Sequence, residues 1–438
     1  MKPTSLENKL SRIANWLILI ILVLVPFHAF LTTWAGANFN HLDLFRIWKE
    51  LLMVPLAIYS ICLLGRHKAL AAQMAKSWLV RCIVIYIVFF LGFGLLAFSR
   101  HSVNANALLY SWITNLRLVG WFLIVWIVSS RSRLLIKHWL KVVLYPAGLV
   151  VGFGLLQRFV LPAYFLQHFG YGSQTIPAVE TVDQKLAFRR IQSTLRGANP
   201  LGAYLIVVVA AALGAVRRHR GLWLLLAASA VVLLFTYSRS AWLGVIVAVA
   251  LLIWLYLPRS LRKAALLVAA VAVLVCAGGV WQLRHNDSVQ NTFFHSDENS
   301  QAYVSSNAAR SSAMTEGLRD VWHQPFGRGP GTAGPASFRN FAAPRIAENY
   351  YIQLAQEVGI FGLALFVAIN ILLAWQLWQR RRDPLAVVLL ASLAGITLVN
   401  MLSHAWADDT LAVLWWGLAG VAMSLPASKN AILKKSNK

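Results

Sequence analysis

Long apolar runs separated by short polar segments make up most of this sequence. The runs cover residues 13–33, 43–65, 78–98, 107–129, 139–160, 200–216, 221–237, 240–257, 263–283, 349–378, 384–404 and 408–426. Most of them approach the ~20 residues that an α-helix needs to cross a bilayer. The pattern therefore predicts an all-α polytopic membrane protein of about twelve transmembrane helices, with residues 1–438 forming a single membrane domain.

The composition supports this class of protein. Of the 438 residues, 59% are hydrophobic and only 13% are charged, which excludes an ordinary soluble globular protein. The net charge of +25 would suggest a nucleic-acid partner in a soluble chain. Here most Lys and Arg residues lie in short clusters between apolar runs, as topology signals do, and no aromatic-basic surface motif accompanies them. We therefore expect the membrane, and no nucleic acid, as a partner.

The basic clusters alternate along the chain and predict its orientation. They lie near residues 66–76, 131–137, 217–220, 259–263, 380–382 and 429–438. By the positive-inside rule these segments and both termini are cytoplasmic. Two long loops, 161–199 and 284–348, then face the extracytoplasmic side. Loops of this kind are where a membrane enzyme holds an extracytoplasmic site.

Several arginines lie close to predicted helix ends. Arg190 and Arg196 precede the run that starts near Pro200, and Arg239 lies in a tight turn between two apolar runs. A guanidinium group can bind two phosphate oxygens at once, although contact with lipid headgroups explains the loop arginines equally well. An arginine confined like Arg239 is more often functional or ion-paired than idle.

The second long loop leads into an apolar run through Glu348 and Asn349. Upstream, Arg310 lies in a segment with a helical apolar pattern, and the Gly/Pro-rich turn at 325–331 follows it. That turn is either an anion-binding loop or a tight re-entry turn. A carboxylate at the mouth of a membrane helix is unfavourable unless it has a role. Glu357 lies on a different helical face at a different depth, so we do not expect it to pair with Glu348 in catalysis.

These elements occur in a fixed order. The order is Arg190, Ser193-Thr194-Leu195, Asn199-Pro200-Leu201-Gly202, then residues 236–242, then Asn307 and Arg310, then residues 325–331, then Glu348-Asn349, Glu357 and Gly359. In this order they resemble the O-antigen ligase and O-antigen polymerase superfamily. The resemblance covers residues 185–365 as an O-antigen ligase-like core.

The resemblance implies a glycosyltransferase in the cytoplasmic (inner) membrane of a bacterium, with its active site outside. Such enzymes move a glycan from an undecaprenyl-diphosphate carrier to a glycan or lipid acceptor, without a metal or a cofactor. Arg190, Arg239 and Arg310 match the arginines that hold the diphosphate, and Glu348 stands at the general-base position. The further candidate site residues are Arg196 as a diphosphate ligand and Asn349, Thr194 and Lys49 in support.

The chain departs from the family at the base. The family has His-Asn where this chain has Glu348-Asn349, and the nearest upstream histidine is His323. A carboxylate within hydrogen-bond reach can take over the proton of a sugar hydroxyl, and fixed arginines can stabilise the leaving diphosphate. Two alternatives stay open, a transporter or flippase of a lipid-linked glycan and a non-catalytic envelope scaffold. No internal pseudo-symmetry of the transporter type is evident in the sequence.

Overall fold

A computed structural model of the protein describes residues 5–182, 184–286, 289–290, 292 and 306–425. The fold is mostly helical (77%). The helices are α1 Ser5–Leu24, α2 His28–Phe39, α3 Leu42–Arg46, α4 Trp48–Arg66, α5 Lys68–Lys76, α6 Trp78–Ser99, α7 Ala105–Ser129, α8 Leu134–Phe159, α9 Ala198–Ala215, α10 Leu222–Phe235, α11 Arg239–Tyr256, α12 Arg259–Gln282, α13 Ser306–His323, α14 Tyr350–Gln379, α15 Pro384–Asn400 and α16 Asp409–Met423. A short antiparallel hairpin, β1 Glu180–Val182 and β2 Lys185–Arg190, lies in the first long loop.

Nine helical stretches in the described part of the chain are long and apolar enough to cross a membrane. The first runs from Leu6 to Phe39 through a 3₁₀ turn at Pro26, because proline cannot continue the α-helical hydrogen bonds. The shorter apolar helices α10, α15 and α16 coincide with predicted runs 221–237, 384–404 and 408–426. A mostly helical, multi-pass membrane fold is confirmed. The count of twelve spans and the cytoplasmic termini stay predictions, and the basic segment 429–438 lies outside the described residues.

Some elements follow no transmembrane pattern. Helix α5 forms in the basic segment that we interpreted as a loop, because its Ala, Lys, Gln and Met residues are all good helix formers. Helix α13 occupies part of the second long loop, where the apolar pattern predicts a helix. The hairpin pairs Glu180 with Arg190, which brings an opposite charge to a candidate site residue.

Close helix packing holds the C-terminal half together. A Cβ atom on Gly395 of α15 would lie only 2.2 Å from the carbonyl oxygen of Gly244 on α11, so these backbones are in direct contact. The aromatic rings of Trp406, Trp415 and Trp416 pack on one another and are fully buried. This packing anchors the connection between α15 and α16 inside the bundle.

Helix α14 is interrupted at Gly359, whose φ of 69° and ψ of −178° are not helical. The break leaves two backbone carbonyls without helical partners, and the glycine-rich turn supplies replacements. The Arg328 amide donates to the Gln356 carbonyl (3.0 Å) and the Gly329 amide to the Glu357 carbonyl (2.8 Å). A Cβ atom on Gly359 would lie 2.5 Å from the carbonyl carbon of Phe326, so only glycine fits. The turn is therefore docked on the broken helix.

Candidate active site

The first long loop is fixed to the helix bundle by hydrogen bonds from Ser193 and Thr194. The Thr194 hydroxyl donates to the Pro26 carbonyl (2.9 Å), and the Ser193 hydroxyl donates to the Val150 carbonyl (2.6 Å). Ser193 has a φ of 53°, an unusual conformation for a residue other than glycine. Thr194 is thus a buried anchor. It holds the segment that carries Arg190 and Arg196 on its two sides.

Arg190 joins three parts of this region. Its Nε donates to the Thr236 carbonyl at the end of α10 (2.8 Å), and its Nη2 donates to the Asn199 side chain at the start of α9 (2.6 Å). Its Nη1 lies 3.8 Å from a carboxylate oxygen of Glu180. Burial lowers the pKa of Arg190, and although Glu180 opposes this, the nearby Arg310 guanidinium lowers the pKa further. The two arginines thus lie within electrostatic range of each other.

Arg310 and Glu348 face each other across the site. Arg310 Nε lies 3.7 Å from Glu348 Oε2, and both side chains are 36% exposed. That separation is too long for a hydrogen bond, and Arg310 Nε is a buried donor with no hydrogen-bond partner among the described residues. The Arg310 side chain is nevertheless partly exposed, so a second polar group can bind to the exposed part of its guanidinium.

Glu348 adopts a left-handed backbone conformation with a φ of 52°. For a residue with a Cβ atom this region is unfavourable by about 1–2 kcal/mol. The next residue, Asn349, caps α14, because its Oδ1 accepts from the Tyr351 amide (2.9 Å) and the Ile352 amide (3.0 Å). Its Nδ2 donates to the Met401 carbonyl (2.8 Å). The Asn349 amide thus holds the start of α14 against Met401, so Asn349 positions Glu348.

Arg196 lies next to the start of α16. Its Nε is 3.9 Å from Asp408 Oδ2, and its side chain is 51% exposed while that of Asp408 is 6% exposed. Asp408 caps α16, since its Oδ1 accepts from the Thr410 amide (3.0 Å) and the Leu411 amide (3.2 Å). Arg196 is therefore anchored only loosely and remains open to solvent.

His404 is a site residue that the sequence did not reveal. It lies between α15 and α16, in a segment held against the start of α14 by the Tyr350 amide, which donates to the Ser403 carbonyl (3.2 Å). Burial lowers the pKa of His404 to about 4, and the positive charges of Arg196 and Arg310 add to that effect. The imidazole is thus neutral near pH 7 and shares its surroundings with both arginines.

Arg239 and Lys49 differ in their surroundings. Arg239 is half-buried and is the first residue of α11, at the turn that also contains Thr236, whose carbonyl accepts from Arg190. Lys49 belongs to a separate buried cluster. Its Nζ lies 2.8 Å from Asp409 Oδ2 and 3.1 Å from Glu50 Oε2. Its charge is therefore already paired.

That cluster, which we call the Lys49 network, consists of Lys49, Glu50, Arg117, Asp409 and His28. Arg117 Nη1 donates to Glu50 Oε1 (2.7 Å), and Nη2 donates to Asp409 Oδ1. His28 Nδ1 accepts from the Trp48 indole, so the proton is on Nε2, which faces Asp409 Oδ2 at 3.1 Å. Two cations and two carboxylates therefore balance, and His28 completes the cluster.

The glycine-rich turn is hydrogen-bonded to the buried side chain of Glu357. The amide of Gly331 donates to Glu357 Oε1 (2.7 Å), and this fully buried carboxylate also accepts from Ser111 Oγ (3.0 Å) and Asn115 Nδ2 (3.3 Å). The structure thus separates Glu357 from Glu348. Glu357 fastens the turn to α7 and α14, which favours the re-entry-turn interpretation over an anion-binding loop.

An apolar groove of about 810 Å³ opens beside the site. It lies between α13, α14 and α15, and its lining includes Met314, Leu318, Ile371 and Leu393. Asn349 and Met401 also line it, so the groove reaches the residues that hold Glu348 and His404 in place. No group of three or more His, Cys, Asp or Glu side chains within the described ranges could hold a metal ion.

One comparison with known proteins gives a match. Residues 224–367 match the family model described as O-Antigen ligase (Wzy_C), which confirms the resemblance found in the sequence. The match spans α10 to the middle of α14 and includes Arg239, Arg310 and Glu348. It indicates activity of the O-antigen ligase or polymerase type in a multi-pass protein, which suggests a bacterial inner membrane. No curated protein matches the chain.

Proposed function

We propose that this protein is a glycosyltransferase that moves a glycan from an undecaprenyl-diphosphate carrier to the hydroxyl of a glycan or lipid acceptor. The reaction is of the ligase or polysaccharide polymerase type, takes place at the outer face of the cytoplasmic membrane, and needs no metal or cofactor. The observation that carries this proposal is the pairing of the site arginines. Arg190, Arg196 and Arg310 lie 3.8, 3.9 and 3.7 Å from their carboxylate partners, beyond hydrogen-bond range.

Loosely paired guanidinium groups suit a diphosphate. Arg196 and Arg310 have donors that a ligand can engage, whereas Arg190 uses Nε and Nη2 to hold the loop and the helix starts together. Helices α9, α11, α14 and α16 also begin in this region, and the positive ends of their dipoles favour an anion. We assign Arg196 and Arg310 to the diphosphate, with Arg190 and Arg239 setting the local charge.

The chemical step requires one proton transfer. The acceptor hydroxyl gives its proton to Glu348 as its oxygen bonds to the anomeric carbon of the donor sugar. The bond between that carbon and the diphosphate oxygen breaks, and the diphosphate leaves with the electron pair. The arginines stabilise the negative charge that grows on the leaving group, which is the part of the reaction that a metal ion would otherwise serve.

The apolar groove supports a lipid-linked donor. Its apolar lining suits an isoprenoid chain, and its end at Asn349 and Met401 lies next to the arginine-rich region. A carrier placed in the groove would have its tail among the helices and its diphosphate at Arg310. We therefore assign the groove to the first isoprene units of the carrier.

Incubation of the purified protein with a labelled undecaprenyl-diphosphate glycan and a glycan acceptor tests the proposal. A transferase joins the label to the acceptor and releases the free carrier diphosphate. A flippase moves the labelled lipid across a vesicle membrane and releases nothing, and a scaffold does neither. Either of those outcomes would refute the proposed reaction. Addition of a metal chelator should leave the rate unchanged.

A further inference from the structure

His404 has a buried ring nitrogen without a hydrogen-bond partner. Its Nε2 is enclosed and has no partner among the described residues. A buried imidazole nitrogen normally bonds to a carbonyl, a carboxylate or water, because an unpaired buried polar atom has lost its hydrogen bond to water without a replacement. The backbone on either side is fixed, since the Ser403 carbonyl accepts from Tyr350 and the Trp406 amide donates to Asn400 (3.0 Å). An unpaired nitrogen in so rigid a segment is consistent with a site prepared for a ligand.

The charges around His404 indicate which ligand fits. Arg196 of the first long loop and Arg310 of α13 both act on the imidazole. The carboxylates linked to this pair are Asp408, 3.9 Å from Arg196, and Glu348, 3.7 Å from Arg310. Neither carboxylate bonds to the ring nitrogen. A group that binds between the two arginines and reaches Nε2 is therefore an anion with several oxygen acceptors.

We propose that His404 is a third ligand of the carrier diphosphate and donates a hydrogen bond from Nε2 to a phosphate oxygen. This proposal rests on the proposed function, because it places the diphosphate between Arg196 and Arg310. The site then contains a histidine, but this histidine comes from the connection between α15 and α16. The family histidine would stand at position 348. His404 binds the leaving group, and the acceptor proton still passes to Glu348.

Binding of the diphosphate then changes the protonation of His404. Without ligand, burial and, to a lesser degree, the repulsion by the two guanidinium groups keep the ring neutral, with a pKa of about 4. The negative charge of a bound diphosphate cancels their repulsion and favours the imidazolium form, so the ring takes up a proton from water. The arginines have the opposite effect on the protonation of the ligand. They favour the ionised diphosphate, so the ligand loses protons on binding. Net proton uptake on binding therefore identifies a group of the protein.

Calorimetric titration with geranyl diphosphate, a short soluble isoprenyl diphosphate, tests this in the intact protein. Titrations at pH 7 in two buffers of different ionisation enthalpy give the number of protons taken up. We expect net uptake by the wild type, and affinity that falls as pH rises through the raised pKa of His404. In His404→Gln the uptake should disappear and the affinity should fall about 10-fold, as loss of a hydrogen bond to a charged group predicts. The control is His323→Gln, since His323 is exposed on α13 and its Nδ1 donates to the Arg319 carbonyl of the same helix (2.7 Å).

The outcomes separate this inference from the proposed function. Equal affinity and equal proton uptake in the wild type and His404→Gln would overturn the role of His404 alone. Absence of geranyl diphosphate binding to the wild type would overturn both proposals. Binding with proton uptake but no glycan transfer would support His404 as a ligand and refute the transferase. If His404→Gln does not fold, the wild-type titration alone decides. Net proton release on binding of geranyl diphosphate would then overturn the role of His404 as a ligand.

Discussion

The Lys49 network and the arginine site both place cations beside carboxylates, but they do so at different distances. In the network, Lys49 Nζ lies 2.8 Å from Asp409 and 3.1 Å from Glu50, and Arg117 Nη1 lies 2.7 Å from Glu50. In the site the corresponding distances run from 3.7 to 3.9 Å. Hydrogen-bonded ion pairs use up their donors, whereas ion pairs beyond hydrogen-bond range keep donors available. The difference supports a structural role for the network and is the basis of our proposal that the site binds a ligand.

The largest effect should come from breaking the network. Arg117→Met removes one of the two cations that Glu50 and Asp409 share, the other being Lys49, and removal of one partner of a buried ion pair destabilises a protein by about 3–5 kcal/mol. We expect a clear loss of thermal stability in detergent, measured by the unfolding temperature. Arg310→Met is the matched change in the site and should leave the unfolding temperature nearly unchanged. Equal destabilisation by the two changes would remove the distinction between the two regions.

The next effect concerns the binding of the donor. Arg310→Ala removes a guanidinium donor from the diphosphate, and loss of one hydrogen bond to a charged group weakens binding by about 10- to 100-fold. We expect KM for the lipid-linked donor to rise by that factor. Arg319→Ala is the control, because Arg319 lies nine residues further along α13 and therefore on the opposite helical face. Donor kinetics that are the same in both variants would argue against the assignment of Arg310.

A smaller effect is expected when Glu348 is replaced by the residue that the family has at this position. Glu348→His supplies a base with an ordinary pKa near 6.5, so transfer should continue at a reduced rate. The rate should also fall at acid pH, since the protonated imidazole cannot accept the proton of the hydroxyl. A pH–rate profile of the variant against wild type measures this. Complete inactivity of a folded Glu348→His variant would show that the position needs a carboxylate.

The sequence predicted the helices better than it predicted the site. Apolar runs reveal membrane helices because the bilayer requires every backbone polar group to be bonded within the helix. The same signal cannot show how segments meet. His404 and Arg196 are far apart in the chain, and no spacing rule joins them. The sequence also does not predict the ion pair between Lys49 and Asp409. Nor does it predict the hydrogen bond from the Gly331 amide to the Glu357 carboxylate. The sequence shows His404 only as a histidine in the short connection before Asp408-Asp409, and nothing nearby marks it as a site residue.

The positions of single residues show the same limit. The turn at 325–331 was correctly located from its glycines and prolines, but its partner was left open, because the break at Gly359 depends on tertiary packing. Glu348 was selected for its place at a helix mouth. Its positive φ and its separation from Arg310 became visible only in the folded chain.

The central claim is that the loosely paired site performs transfer with Glu348 as the base. The most direct measurement is the rate of glycan transfer by Glu348→Gln, a nearly isosteric change, with Glu316→Gln on the exposed face of α13 as the control. Since loss of a general base slows a reaction by about 10²- to 10⁴-fold, the account predicts a drop of that size in a folded protein that still binds the donor. The Glu316→Gln control should keep the wild-type rate. Wild-type transfer by Glu348→Gln would contradict the account.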